Sequence, residues 1–247
     1  MSRVYLVRHG QAGTRKAYDA LSELGRRQAR LLGEYFVSEG IQFAAAYSGA
    51  LMRQQETACE VSAVYRQAGV CFPEIVREPD WNEFDLTHVY RALAPRLCAE
   101  DSEFERQYQE LVAQARAAAE QPEASVNRRW LPCDSKVVEA WTRGQHAYDG
   151  ETWQAFRERV AGCRFKLEPA ERDANIVVFT SATPIGIWTA LSMEIATDIK
   201  NDERALRLAG VLHNASCTVM RLHEGQLRLH SFNSISHLRE PGLRTYR

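Results

Sequence analysis

The 247-residue chain lacks a net charge of either sign: 31 Lys and Arg stand against 32 Asp and Glu, leaving −1 at neutral pH. So close a balance gives no general field to gather nucleic acid or an anionic membrane, and attraction for an anionic ligand has to be built locally. Long apolar runs are missing too. Nothing approaches the roughly 18 consecutive apolar residues of a membrane-spanning helix, and the stretch from Met1 to Val7 is too short for a signal peptide. These absences predict a cytoplasmic protein with neither nucleic acid nor membrane as partner. The six cysteines, Cys59, Cys71, Cys98, Cys133, Cys163 and Cys217, form no C-x-x-C pair and no zinc-like spacing, which predicts free thiols and no metal site. There is no internal repeat and no low-complexity tail. What is present is an ordinary globular composition, 45% hydrophobic and 26% charged, and enough length for one large domain or one domain with an inserted cap.

The pattern of the chain predicts an α/β fold. Arg3 to Val7 is a short β-branched and aromatic run that ends in Arg8-His9-Gly10, as a buried strand does when it delivers polar groups at its C-terminal edge. In open α/β sheets that edge is where ligands bind. Helical spacing follows from Ser22 to Phe36 and stops near Gly40. A strand around Phe43 to Tyr47, a helix from about Ala50 to Tyr65 and a strand around Val70 to Val76 continue the alternation. From about 87 to 150 it gives way to residues rich in Ala, Glu, Gln and Arg, notably Glu103 to Glu120, which predict helices inserted as a cap. Pro122 to Pro132 reads as loop.

A helix from Thr152 to about Phe165 then precedes the clearest interior strand, Asn175 to Thr180. The strand breaks at Ser181-Ala182-Thr183-Pro184, with Thr183 as the expected N-cap and Pro184 as the first helical residue. Lys200 to Arg207 alternates charge and reads as a solvated helix. Two strands, Ser216 to Leu222 and Leu227 to Phe232, joined at Glu224-Gly225, close the chain.

Arg8-His9-Gly10 offers a cation, a nucleophile or base, and a residue with no side chain to obstruct close approach. Alone, the triplet also describes a surface arginine beside a core-edge histidine. Support comes from Ser48 to Ala58, which again follows a strand and opens a helix, placing Arg53 in its first turn. Negative charge is normally favoured there, so a positive side chain suits a bound anion.

With these motifs the sequence resembles the histidine phosphatase superfamily, also called phosphoglycerate mutase-like. The triplet stands at Arg8-His9-Gly10, a Leu-Ser-x-x-Gly-x-x-Gln-Ala pattern at Leu21 to Ala29, and a Ser-x-x-x-x-Arg-x-x-x-Thr-Ala pattern at Ser48 to Ala58. Glu83, in Trp81-Asn82-Glu83-Phe84-Asp85, lies where the family keeps its acid. Gly150-Glu151-Thr152 with Phe156 and Arg159-Val160 resembles the helix before the fourth core strand. Asn214 to Thr218 and Asn233 to Leu238 resemble the closing strands. The resemblance implies a single domain, 1–247, built as a three-layer α/β/α sandwich on a mostly parallel sheet, with a helical cap at 87–150.

It also implies a phosphatase acting on a small phosphorylated substrate. Neutral His9 would attack phosphorus in line and form a phosphohistidine. Arg8 and Arg53 would grip the phosphoryl oxygens through forked hydrogen bonds and neutralise charge in place of a metal, so neither metal nor other cofactor is expected. Glu83 would protonate the leaving oxygen and later activate water, provided its pKa is raised; Asp85 is the rival acid. Gln11, Ser181 and the amides around Ala182 complete the expected phosphate-binding set.

One feature of the family is missing. Where the fourth strand usually ends in Ser/Thr-His-Gly-Gly, this chain reads Phe179-Thr180-Ser181-Ala182-Thr183, so Ser181 stands at the position of a phosphate-binding histidine. Losing one charge-assisted hydrogen bond to the transition state costs roughly 2 to 4 kcal/mol, about 30-fold to 1000-fold in rate, if nothing compensates. Candidate compensators are His213 and the cap cations Arg128, Arg129, Lys136 and Arg143. The other histidines, His88, His146, His223, His230 and His237, read as structural or solvated. Ser181 also opens a second reading, a non-catalytic phosphate-binding or regulatory module, although a pure binder has no use for a nucleophile paired with an acid. A phosphomutase is a lesser alternative, since Gln11 to Arg15 lacks the longer segment of the mutases. A serine hydrolase built on Ser181 lacks both glycines of a nucleophile elbow.

Overall fold

Strand β1 (Ser2–Arg8) is buried along almost its whole length, and its side chains show why. Successive residues of a strand face opposite ways. Tyr5 and Val7 join a cluster with Leu32, Phe36, Val61 and Tyr65 on one face of the sheet. Val4 and Leu6 join a second cluster with Phe156, Val160, Ile185 and Trp188 on the other. A strand covered on both faces needs apolar residues at every position, which accounts for the unbroken run Val4 to Val7. The computed structural model describes residues 2–13, 19–119, 132–167, 173–193 and 199–246.

The sheet has six strands in the order β3-β2-β4-β1-β5-β6, formed by β1, β2 (Ala45–Ser48), β3 (Ile75–Arg77), β4 (Asn175–Thr180), β5 (Cys217–His223) and β6 (Gln226–Ser234). β1 pairs parallel with β4, β4 with β2 and β2 with β3. β5 runs antiparallel to β1, and β6 to β5. Helices α1 (Glu23–Ser38) and α2 (Met52–Gln67) supply the apolar residues of the first face. On the second lie α6 (Trp153–Lys166), α7 (Ala182–Ser192) and α8 (Ile199–Gly210). The result is the α/β sandwich on a mostly parallel sheet. Between β3 and α6 come α3 (Leu86–Glu100), α4 (Ser102–Ala119) and α5 (Pro132–Thr142), which share a core through Val89, Leu93, Phe104, Val137 and Trp141.

Several boundaries fall elsewhere than the pattern predicts. β3 is confined to Ile75–Arg77 because Pro73 lacks an N–H for the ladder, and because Phe72 leaves the strand direction to pack on Phe43 and Tyr65, with ring centroids 5.9 and 4.9 Å away. α2 opens at Met52, since the Ala50 N–H is taken by Asn82 Oδ1 at 2.6 Å. Ser181, not Thr183, stands at the N-cap of α7. Pro184 becomes its third residue, where a missing N–H costs nothing because the first turn has no intrahelical acceptors. Of the expected loop Pro122 to Pro132, 122–131 lie outside the described residues and Pro132 opens α5.

All six cysteines are free thiols, and burial pushes Cys163 and Cys217 up to about 12. Among the described residues no helix is long and apolar enough to cross a membrane.

Burial leaves one titratable group with a consequence for folding. His237 is buried, and desolvation of its charged form pulls it down to about 4. The native chain thus keeps His237 neutral where the unfolded chain, with an ordinary imidazole, takes up a proton. The associated stability is fully present above about pH 6.5 and is lost as pH falls towards 4, to the extent of about 3 kcal/mol. Urea denaturation at pH 7 and at pH 4 should show that loss in the wild type and a markedly smaller one in His237→Gln.

Candidate active site

The C-terminal ends of β1, β2 and β4 meet at one edge of the sheet, where β5 also begins, and the backbone of Arg8-His9 is pinned there from both sides. The His9 N–H donates to Thr180 O at 2.9 Å, the Arg8 N–H to Ser216 O at 3.0 Å, and the Ala215 N–H to His9 O at 3.1 Å. Beyond the strand, the Gly10 N–H donates to Thr57 Oγ1 at 3.1 Å, and the Thr57 hydroxyl passes a hydrogen bond to Arg53 O at 2.7 Å. Gly10 lies so close to α1 that an added Cβ would stand 2.5 Å from Gly25 O, while one on Gly25 would stand 2.2 Å from Gln11 O. Two facing glycines let helix and loop touch, and fix where His9 emerges.

The His9 ring is oriented at both nitrogens. Nδ1 lies 2.7 Å from Gly10 O, an acceptor, so Nδ1 carries the proton and Nε2 the lone pair. Arg53 Nε donates towards that Nε2 at 3.2 Å. The opposite nitrogen of Arg53, Nη1, donates to Asp19 Oδ1 at 2.5 Å, and Asp19 Oδ2 accepts the Met52 N–H at 2.8 Å. Arg8 is buried, with Nη1 donating to Leu212 O.

Glu83 reaches the same edge through a different set of restraints. Its carboxylate accepts the Thr183 N–H of α7 at 3.0 Å and the Phe84 N–H at 3.2 Å. The segment before it is held by Trp81 O, which accepts from Thr180 Oγ1 at 2.6 Å and Gln54 Nε2 at 3.2 Å, and by Arg159 Nη1, which donates to Asp80 O and Asn82 O. The fully buried Gln54 also donates to Ser181 Oγ at 2.9 Å. Behind Glu83, Phe84 stacks on Trp141 of α5 with centroids 4.6 Å apart. Asp85, the rival acid, spends its carboxylate as the N-cap of α3, accepting the His88 N–H at 3.0 Å.

The remaining candidates divide clearly. Gln11 lies at the mouth of α1, its side-chain oxygen accepting from Ser22 Oγ at 2.9 Å. Of the N–H groups in the first turn of α7, that of Thr183 goes to Glu83 and Pro184 has none, which leaves that of Ala182 beside Ser181. His213 sits in the loop before β5, its ring tilted by 36° against that of Tyr246 with centroids 4.2 Å apart, and the Asn233 amide lies 3.3 Å from its Nδ1. Burial, aided by the charges of Arg8 and Arg244, lowers its pKa. At neutral pH it is therefore an uncharged ring and no replacement for a lost cation. Lys136 pairs with Asp101, and Arg143 with Glu139 and Glu203 at 2.7 and 3.1 Å, so both are engaged within the helical surface. Arg128 and Arg129 lie outside the described residues. Among the described residues no group of three or more His, Cys, Asp and Glu side chains could hold a metal ion.

The sequence pattern that defines the histidine phosphatase superfamily (branch 1) matches residues 4–140 and 132–235. The chain belongs to that superfamily. Solved structures of the same fold include the phosphoglycerate mutase of Bacillus anthracis (TM-score 0.59, 17% identity, covering 96% of this chain and 95% of that one). The mycobacterial glucosyl-3-phosphoglycerate phosphatase in complex with VO3 aligns with a TM-score of 0.58 at 19% identity, over 95% of this chain and 100% of its own. The alpha-ribazole phosphatase of Shigella flexneri follows with 0.56 and 17%, over 94% and 96%. No curated protein matches the sequence. Within this superfamily fold, residue-by-residue reading missed Gln54 and Asp19. Gln54 stood inside a quoted pattern at a position given no role, and the partners of Asp19 are more than 30 residues away along the chain.

Gln54 makes a direct check on how Glu83 is positioned. Gln54→Leu keeps much of the volume but leaves Trp81 O and Ser181 Oγ without its amide, and should cost about 1 to 3 kcal/mol in urea denaturation. A loss under 0.5 kcal/mol would show that the network bears little on stability.

Proposed function

We propose that the protein is a phosphatase that hydrolyses a small phosphate monoester through a phosphohistidine on His9. The observation that carries this reading is the state of the His9 ring: Nδ1 proton committed to Gly10 O, and Nε2 with its lone pair facing the guanidinium of Arg53, whose Nε donates to it at 3.2 Å. A neutral nitrogen nucleophile beside a cation is what an attack on a phosphoryl group requires.

In the first step the Nε2 lone pair forms the N–P bond as the ester P–O bond breaks, and Glu83 gives its proton to the departing oxygen. In the second, Glu83 takes a proton from water as the water oxygen attacks phosphorus; the N–P bond breaks and phosphate leaves. Arg8 and Arg53 balance the charge on the phosphoryl oxygens throughout, and the mechanism draws on no metal. Ser181, whose oxygen accepts from Gln54, keeps its own proton for a phosphoryl oxygen, with the Ala182 N–H and Gln11 as further donors in this reading. The α3, α4 and α5 helices act as the cap at 87–150 and select the leaving group, with Phe84 stacked on Trp141 as the joint between cap and acid.

A second reading, a phosphate-binding module with little turnover, is favoured by the single fact that Ser181 is uncharged. One comparison separates the two. With an aryl phosphate, the wild type should turn over and form an acid-labile phosphoenzyme, and His9→Ala should do neither. Arg53→Ala should lose about 100-fold to 1000-fold in kcat. Turnover retained by His9→Ala would overturn the phosphohistidine route. Orthovanadate binding without turnover in the wild type would establish the second reading instead.

A further inference from the structure

Helix α2 lacks what a helix N-terminus usually has. Its N-cap is Leu51, with no side-chain oxygen to offer, and no acidic residue stands in its first turn. The missing acceptor comes from Asp19, more than 30 residues earlier, whose Oδ2 takes the Met52 N–H at 2.8 Å while Oδ1 takes Arg53 Nη1 at 2.5 Å. One carboxylate thus ties the helix end and the guanidinium to each other. A guanidinium presents a side-on edge, formed by Nε and Nη2, that matches two oxygens of a carboxylate or phosphoryl group. With Nη1 held by Asp19, that edge faces His9, and Nε stands 3.2 Å from its Nε2.

We infer that Asp19 is the positioning residue for Arg53: it anchors the far nitrogen of the guanidinium so that the Nε and Nη2 edge is already aimed at a phosphoryl group on His9. The inference rests on the phosphatase reading for its consequence in turnover, but not for its consequence in anion binding. Asp19 touches none of the reacting atoms, so it acts through Arg53. The opposite role, a carboxylate occupying the phosphate's own place and expelled by substrate, fits the contacts less well. Asp19 bonds Nη1, away from the edge that faces the nucleophile, and its bond to the Met52 N–H holds it where it is with or without an anion. The arrangement has a cost, since a negative charge beside the site reduces its net attraction for phosphate; with the Asp19 side chain 41% exposed, solvent screens much of that. Fixing a long side chain before the ligand arrives offsets it by removing an ordering cost from the binding step.

Orthovanadate binding by calorimetry and turnover of an aryl phosphate, each measured on Asp19→Ala, Asp19→Asn, Arg53→Ala and the double variant Asp19→Ala/Arg53→Ala, test this. Asp19→Ala should weaken vanadate binding roughly tenfold, the middle of the range for residues coupled in one hydrogen-bond network, and lower kcat more than it raises KM. In the Arg53→Ala background the same change should have almost no further effect. Asp19→Asn, which still offers an oxygen to the Met52 N–H, should keep wild-type thermal stability yet bind vanadate nearly as weakly as Asp19→Ala. Tighter vanadate binding by Asp19→Ala, or losses that simply multiply in the double variant, would overturn the assignment. If the wild type does not turn over the aryl phosphate, the phosphatase reading fails, and the vanadate data still decide the role of Asp19.

Discussion

The structure depends on one constraint: the peptide unit of His9 is bonded to a strand on each side. Its N–H goes to Thr180 at the end of β4, and its carbonyl accepts from Ala215 just before β5. A parallel neighbour and an antiparallel neighbour therefore meet at His9. Everything that β4 and the loop before β5 carry is then set at a fixed distance from it: Ser181 and the mouth of α7 on one flank, Leu212 and His213 on the other. α1 and α2 come in from the face above, where the contact of Gly10 with Gly25 and the Gly10–Thr57–Arg53 chain of hydrogen bonds close the remaining freedom. The His9 side chain hangs from a point that backbone hydrogen bonds hold on both sides.

Two helix N-termini open onto this edge, and each already holds a carboxylate. Asp19 takes the Met52 N–H of α2, and Glu83 takes the Thr183 N–H of α7. Helix dipoles and free amides, a common source of positive potential for phosphate, are to that extent used internally. In the phosphatase reading proposed above, the burden of attracting an anion shifts to Arg8 and Arg53 and to the neutral donors near them. That division fits a chain whose charges otherwise cancel, and it makes the placement of Arg53 more consequential than its mere presence.

Much of this was legible in the sequence, for reasons of period and chain order. The run from Arg3 to Val7 read as a buried strand, and all of it but Arg3 is buried; the Ser48 to Ala58 pattern put Arg53 in a first turn, as found. Glu83 was preferred to Asp85 by position alone, and in the structure Asp85 is the N-cap of α3. Local rules failed where long-range contacts decided. Thr183 has the chemistry of an N-cap, but the N-cap stands two residues earlier at Ser181, and the Thr183 N–H in the first turn goes to Glu83. Lys136 looked like a spare cation because its partner, Asp101, comes from outside its helix, whereas Arg143 pairs with Glu139 four residues back as well as with the distant Glu203. Asp19 and Gln54 were silent for the same reason, since a single side chain that bridges elements leaves no periodicity behind.

The stack of Trp141 on Phe84 has a use of its own. It joins α5 to the residue next to Glu83 through two rings, one of them a buried indole. Indole emission shifts in colour and intensity with local packing and polarity, so Trp141 is an intrinsic optical reporter where the helical insert meets the segment that carries Glu83. Any relative movement of the two when a ligand enters is written into the light emitted by Trp141.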